Sequence, residues 1–210
     1  MNKSNLLKGL YGITDANLFP DQPLMLKAVE NALKGGMRIL QYRDKNRPFE
    51  QQILQAKALK VLCVKYNALF IINDSVALAM EVAADGVHIG REDDAIKNAR
   101  AQLGAQAIIG CSCYNSIPMA QQAVIDGADY VAFGRFFNSN TKPEADSAEI
   151  SLITQAKQRL KVPVCAIGGI TTENAPILIR QSVDMIAVIH DLFSVNDVEK
   201  KAFKFSALFA

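Results

Sequence analysis

Apolar positions along this 210-residue chain fall into short runs separated by amphipathic stretches. The runs GLYGIT (9–14), MRILQYR (37–43), LFIIN (69–73) and GVHI (86–89) read as strands, as do IIGCS (108–112), DYVAFG (129–134), VPVCAI (162–167) and MIAVIH (185–190). Most lack clean polar alternation, the pattern of parallel strands covered on both faces. Between them, LMLKAVENALKG (24–35) has apolar residues at helical spacing and a Gly stop, and PFEQQILQAKALKVLCVKY (48–66) opens on Pro. Further helical stretches lie at 75–84, 95–103, 118–127, 148–160 and 173–182, with a last helix near 195–209. Eight strand–helix units of about 26 residues each predict a single (β/α)8 TIM barrel, near the short end for that fold. An open doubly wound sheet is the alternative, because strand order is not written in a sequence. No linker or low-complexity tract divides residues 1–210, so one α/β domain is expected.

Composition narrows the partners. The chain is 50% hydrophobic and 21% charged with a formal net charge of +2. Lys and Arg are not gathered into one run, which argues against a nucleic-acid or membrane surface. The N-terminus MNKSNLLKGLYG has no long apolar segment, and a cytoplasmic protein is expected. Cys63, Cys111, Cys113 and Cys165 match no zinc or CxxC spacing and read as reduced structural thiols. A homo-oligomer is compatible with this composition but not specified by it.

In a barrel of this kind the chemistry lies at the C-terminal ends of the strands. The second strand ends in Gln41-Tyr42-Arg43-Asp44-Lys45. Alternation sends Gln41, Arg43 and Lys45 to one side and Tyr42 and Asp44 to the other. The third strand ends in Asn73-Asp74, and Asp93 follows the fourth. Two carboxylates beside an amide suit Mg²⁺ completed by an anionic substrate, although each also fits a helix cap. Ser139, Asn140, Thr141 and Lys142 lie in the polar segment GRFFNSNTKP (134–143), a mixture suited to phosphate or to a surface loop. Ser112 ends the fifth strand, Gly168-Gly169 the seventh, and Ile189-His190 the eighth. The glycines allow a close backbone approach to a ligand. His88, within a strand, reads as a structural or orienting residue, and no Ser-His-Asp or Cys-His arrangement emerges.

The ordered set LYGITD, QYRDK, FIINDSVALA, ADGVHIGRED, GCS, ADYVAFGRFFNSNTKP, VPVCAIGGI and IAVIHDLF resembles the thiamine-phosphate synthase family along nearly the whole chain. That resemblance implies a Mg²⁺-assisted transferase joining hydroxymethylpyrimidine diphosphate to a thiazole phosphate, or its carboxylated form. It places Gln41, Tyr42, Arg43, Asp44, Lys45, Asn73, Ser112 and Lys142 around the pyrimidine diphosphate. Asp74 and Asp93 would hold the metal, and Ser139, Asn140, Thr141, Gly169, Ile189 and His190 the thiazole phosphate. Arg43, Lys45 and Lys142 would carry catalysis by stabilising the leaving pyrophosphate, while the pyrimidine ionises and the thiazole nitrogen attacks. The chain departs from many members at Arg135, Asn138, Ser139 and His190, and Tyr114 stands where many have His. A thiazole tautomerase-like isomerase and a non-catalytic thiamine-phosphate-binding barrel are the rival readings. On the synthase reading, Lys142→Ala lowers kcat by an amount on the order of 3–4 kcal/mol and leaves the unfolding midpoint nearly unchanged. Paired turnover and melting measurements check this, and normal turnover would remove Lys142 from that role.

Overall fold

The computed structural model describes residues 3–90, 95–138 and 147–209. Its strands are β1 (Gly9–Ile13), β2 (Ile39–Tyr42), β3 (Leu69–Asn73), β4 (Gly86–Ile89), β5 (Ile108–Tyr114), β6 (Tyr130–Phe133), β7 (Val164–Ile167) and β8 (Met185–Val188). All pair in parallel in chain order, and β8 returns to β1, closing the barrel. The helices are α1 (Gln22–Lys34), α2 (Phe49–Lys65), α3 (Val76–Glu81), α4 (Ala95–Leu103), α5 (Ile117–Ile125), α6 (Ser151–Arg159), α7 (Ala175–Ile179), α8 (His190–Phe193) and α9 (Val198–Ser206).

Alternation along each strand divides the core in two. Tyr11, Ile39, Ile71, Ile108, Tyr130, Cys165 and Met185 cluster inside the barrel. Leu10, Leu40, Phe70, Val87, Ile109, Val131 and Ile186 face outward into the layer shared with the helices. Both sets are almost fully buried, and burying each large aliphatic side chain contributes about 1.5–3 kcal/mol. Asp21, Ser75, Ser116 and Asp197 cap α1, α3, α5 and α9 with side-chain acceptors, each worth about 1 kcal/mol.

Three aspartates clamp the opposite end from the candidate site. Asp85, Asp129 and Asp184 directly precede β4, β6 and β8 and accept from the backbone N–H of Phe70, Ile109 and Val164, at 2.7, 2.8 and 2.7 Å. Each residue's own N–H donates back to the same neighbour's carbonyl. A helix supplies a cation to each carboxylate: Lys60 from α2, Arg100 from α4 and Lys157 from α6. Alternate strand pairs are therefore tied in register by the same device.

The elements follow the hydrophobic pattern, with shifts at their ends. β2 starts at Ile39, because the Met37 N–H donates to Ala32 O and belongs to the turn that ends α1. β5 runs on to Tyr114 through a register shift after Ser112. β8 stops at Val188: Ile189 turns away from extended backbone (ψ −84°) and His190 begins α8. All four cysteines are buried and free.

Replacing Asp184 with Ala removes the acceptor for the Val164 N–H and the partner of Lys157. The expected loss is about 1.5–3 kcal/mol of unfolding free energy, as for hydrogen bonds to a charged group, with substrate KM values unchanged. Denaturant unfolding alongside steady-state kinetics checks both parts.

Candidate active site

At the C-terminal end of the barrel, a cavity of about 510 Å³ opens above the axis. A second, of about 460 Å³, adjoins it on the β2–β5 side. Arg43, Asn73, His88, Ser112 and Tyr114 line both. Gln41 faces the first cavity, and Lys45 and Asp74 face the second. Gly169, Ile189 and His190 line the far side of the first, together with Arg135 and Asn138. The expected strand-end residues Gln41, Arg43, Lys45, Asn73, Asp74, Ser112, Gly169, Ile189 and His190 thus meet around one mouth. Asp93, Ser139, Asn140, Thr141 and Lys142 lie outside the described residues.

Two residues of the QYRDK segment face elsewhere. Tyr42 is buried against the helices, its hydroxyl donating to Gln55 Oε1 at 2.8 Å. The Asp44 side chain is 2% exposed; it accepts from the backbone N–H of Asn46 and Arg47 and pairs with the Arg47 guanidinium. Neither residue lines either cavity, because the two-residue period that brings Gln41 and Arg43 inward turns these outward. Asp44 instead shapes the loop that carries Arg43 and Lys45. Burial pushes its carboxyl up, but the two N–H donors and Arg47 more than offset this and hold it below the ordinary 3.8. Thr14 secures the same strand end: its N–H donates to Gln41 O, and its Oγ1 accepts from the Arg43 N–H at 2.8 Å.

The cavity floor is polar. Gln41 Nε2 donates to the Tyr11 hydroxyl at 2.7 Å, which lies 2.9 Å from the Tyr130 hydroxyl. Tyr130 meets His88 Nδ1 at 2.9 Å, and His88 Nε2 meets Ser112 Oγ at 2.9 Å. Burial, above all, raises the pKa of both phenols, so they remain protonated. Gly110 makes room for this row, since a Cβ there would strike the Tyr130 ring. Tyr11 and Tyr130 were not among the sequence candidates. Their one signal is an aromatic hydroxyl on the inward register of an otherwise apolar strand.

Gly168 (φ +103°) and Gly169 (φ +62°) let two loops cross. A Cβ on Gly168 would collide with Arg135, and one on Gly169 with the carbonyls of Phe137 and Asn138. The Phe136 and Phe137 N–H groups donate to Ile167 O and Gly168 O. Both glycines thus pack against the backbone after β6 and also line the first cavity. Arg135 donates to Asn138 Oδ1 at 2.9 Å within that crossing.

Asp74 adopts a left-handed backbone (φ 59°), uncommon outside glycine and frequent at functional sites. Its Oδ2 accepts from Asn73 Nδ2 at 2.7 Å and lies 3.2 Å from Lys45 Nζ. Both ends of the ion pair are about half exposed, so water screens it and it opens at little cost. Among the described residues no three His, Cys, Asp or Glu side chains gather as a metal cage. One hard oxygen donor at an open mouth fits Mg²⁺, which takes one or two carboxylates and completes its shell with water and substrate oxygens.

A family model described as "Thiamine monophosphate synthase" matches residues 10–192. The thiamine-phosphate synthase of Alcanivorax borkumensis is 50% identical over 206 residues, covering 97% of this chain and 94% of that one. That of Acidithiobacillus ferrooxidans is 47% identical over 208 residues, covering 98% and 95%. The structure of thiamine phosphate pyrophosphorylase from Pyrococcus furiosus superposes with a TM-score of 0.88 at 36% identity, covering 99% of this chain and 97% of that one.

The Asp44 carboxyl, lowered in the folded state, adds stability that is complete above the ordinary 3.8 and is lost as pH falls through the lowered value. Asp44→Asn should therefore weaken the fold near neutrality and flatten its loss of stability as pH falls from about 4 downward. Denaturant unfolding across that range checks the slope; wild-type steepness in the variant would contradict it.

Proposed function

The chain belongs to the thiamine monophosphate synthase family, and on that premise we propose that it joins hydroxymethylpyrimidine diphosphate to thiazole phosphate, forming thiamine phosphate and releasing pyrophosphate. The observation that carries this reading is the charge layout of the mouth. Arg43 and Lys45 at the end of β2 and Asp74 at the end of β3 face one cavity, which shares Arg43, Asn73, His88, Ser112 and Tyr114 with a second. Among the described residues no helix is long and apolar enough to cross a membrane. A cytoplasmic enzyme working on small phosphorylated substrates fits this chain.

In this reading Gln41 and Ser112 hold the pyrimidine edge, while Asn73, Arg43, Lys45 and Lys142 hold the diphosphate. As the bond to the diphosphate stretches, negative charge grows on the leaving oxygens and positive charge on the pyrimidine methylene carbon. Fixed donors aimed at the leaving oxygens lower that barrier without being rearranged during the step. Mg²⁺ bound by Asp74, Asp93 and the diphosphate would neutralise further charge there. Gly169, Ile189 and His190, with Ser139, Asn140 and Thr141, place the thiazole phosphate so that the ring nitrogen faces the methylene carbon. That nitrogen carries no proton to remove, so the step asks for positioning and charge stabilisation and for no general base. The isomerase and the non-catalytic barrel are not favoured, since the relatives carry synthase and pyrophosphorylase names.

The test is product formation by the purified protein from the two phosphorylated precursors. Thiamine phosphate and an equal amount of pyrophosphate are expected with Mg²⁺, and loss of both with EDTA. Failure to form product while both ligands bind would overturn the reading. Arg43→Ala should lower kcat on the order of 10²–10³-fold, as expected for one lost transition-state donor. Asp74→Asn should raise the Mg²⁺ concentration needed for half-maximal rate, read from a metal titration of turnover.

A further inference from the structure

The row of hydrogen bonds under the cavity begins and ends on residues that line it, Gln41 and Ser112. Its middle member, Tyr130, is 0% exposed and does not line either cavity. Tyr130 can therefore influence a bound molecule only through its neighbours.

Each hydroxyl has one hydrogen to give, which makes the row directional. Gln41 Nε2 donates to the Tyr11 oxygen, so the Tyr11 hydrogen goes to Tyr130. Having accepted there, Tyr130 turns its own hydrogen to His88 Nδ1. That order calls for the His88 proton on Nε2, donated to Ser112 Oγ across the 2.9 Å contact. The Ser112 hydrogen is left to point into the cavity, and at the other end Gln41 Oε1 is left as an acceptor. A proton on His88 Nδ1 would instead make Tyr130 an acceptor there and turn its hydrogen toward Tyr11, whose oxygen already accepts from Gln41. The buried Tyr11 hydroxyl would then lack an acceptor among the described residues, a costly arrangement.

We propose that Tyr11, Tyr130 and His88 are positioning residues that lock one hydrogen-bond polarity across the barrel, so that Gln41 offers an acceptor and Ser112 a donor to the pyrimidine substrate. The proposal rests on the function inferred above and deepens it. An aminopyrimidine brings an exocyclic amine that matches an acceptor at Gln41, and ring nitrogens and phosphate oxygens that match a donor at Ser112. A 4-oxo pyrimidine of the same shape brings an acceptor where Gln41 already places one. The row thus selects amino over oxo pyrimidines, because a buried mismatch leaves polar groups unpaired.

The test uses the full-length enzyme and its Tyr130→Phe variant, which keeps the ring and removes the hydroxyl. The ratio of kcat/KM for the 4-amino and 4-oxo pyrimidine diphosphates is measured in both. The ratio should fall about tenfold in Tyr130→Phe, the equivalent of one hydrogen bond's contribution, with the KM for thiazole phosphate unchanged. Mere destabilisation would reduce active enzyme for both substrates alike and leave the ratio intact; an intact ratio overturns the proposal. A second arm needs no substrate. The chain has two histidines, so ¹⁵N spectra of histidine-labelled protein, assigned with His190→Asn, report the His88 ring directly. The expected wild-type state is Nε2 protonated and Nδ1 bare, and a protonated Nδ1 overturns the proposal. Absence of thiamine phosphate from the wild type overturns the proposed function instead, and the His88 ring then decides the polarity alone.

Discussion

Closing eight parallel strands into a ring makes side chains that are distant in the sequence compulsory neighbours. Once β8 pairs with β1, every second residue must face a shared axis, and its chemistry has to suit seven other strands. Along β2 the inward row changes from Ile39 to Gln41 to Arg43; along β3 it changes from Ile71 to Asn73; along β5 it passes from Ile108 through Gly110 to Ser112. Aliphatic packing at one end thus grades into a hydrogen-bonded floor and then a charged rim. The aspartate clamps at the far end hold the register on which that gradient depends: slippage by one residue would send Arg43 into the helix layer and Tyr42 into the cavity.

The gradient suits the proposed reaction, which asks for no dedicated base. Most of the polar floor is buried, and hydrogen bonds there are stronger and more costly to break than in water. Its members keep fixed orientations while charge moves above them. The cations sit at the wet rim, where a polyphosphate can reach them and leave again. A screened contact such as Lys45 with Asp74 is readily exchanged for a ligand, whereas the Gln41–Tyr11 contact is not.

The sequence shows the local features well and the closed ring poorly. The eight strands and most helices are legible because hydrophobic period and stop signals are local properties, and Ala95–Leu103 forms the helix expected there. Gln41, Arg43, Asn73 and Ser112 stand out as polar residues in strand register at the ends of apolar runs. Tyr11 and Tyr130 do not, since an aromatic within such a run reads as packing, and their hydroxyls meet only across 119 residues of chain. Asp85, Asp129 and Asp184 look like turn residues until the neighbouring strand's N–H is in place. Tyr42 and Asp44 entered the candidate set with their motif, against the alternation that turns them outward. His190 was expected at a strand end and instead opens α8, because the chain leaves β-structure at Ile189.

On the proposed function, the barrel mouth divides into a diphosphate half at β2–β5 and a thiazole half at β7–β8. The most direct test is a crystal structure with pyrophosphate and thiamine phosphate bound. Pyrophosphate should contact Arg43 and Lys45 beside Asp74, the pyrimidine should lie on Gln41 and Ser112, and the thiazole phosphate should meet Gly169 and His190. Pyrophosphate seated against Gly169 and His190, with the Arg43 side empty, would contradict it.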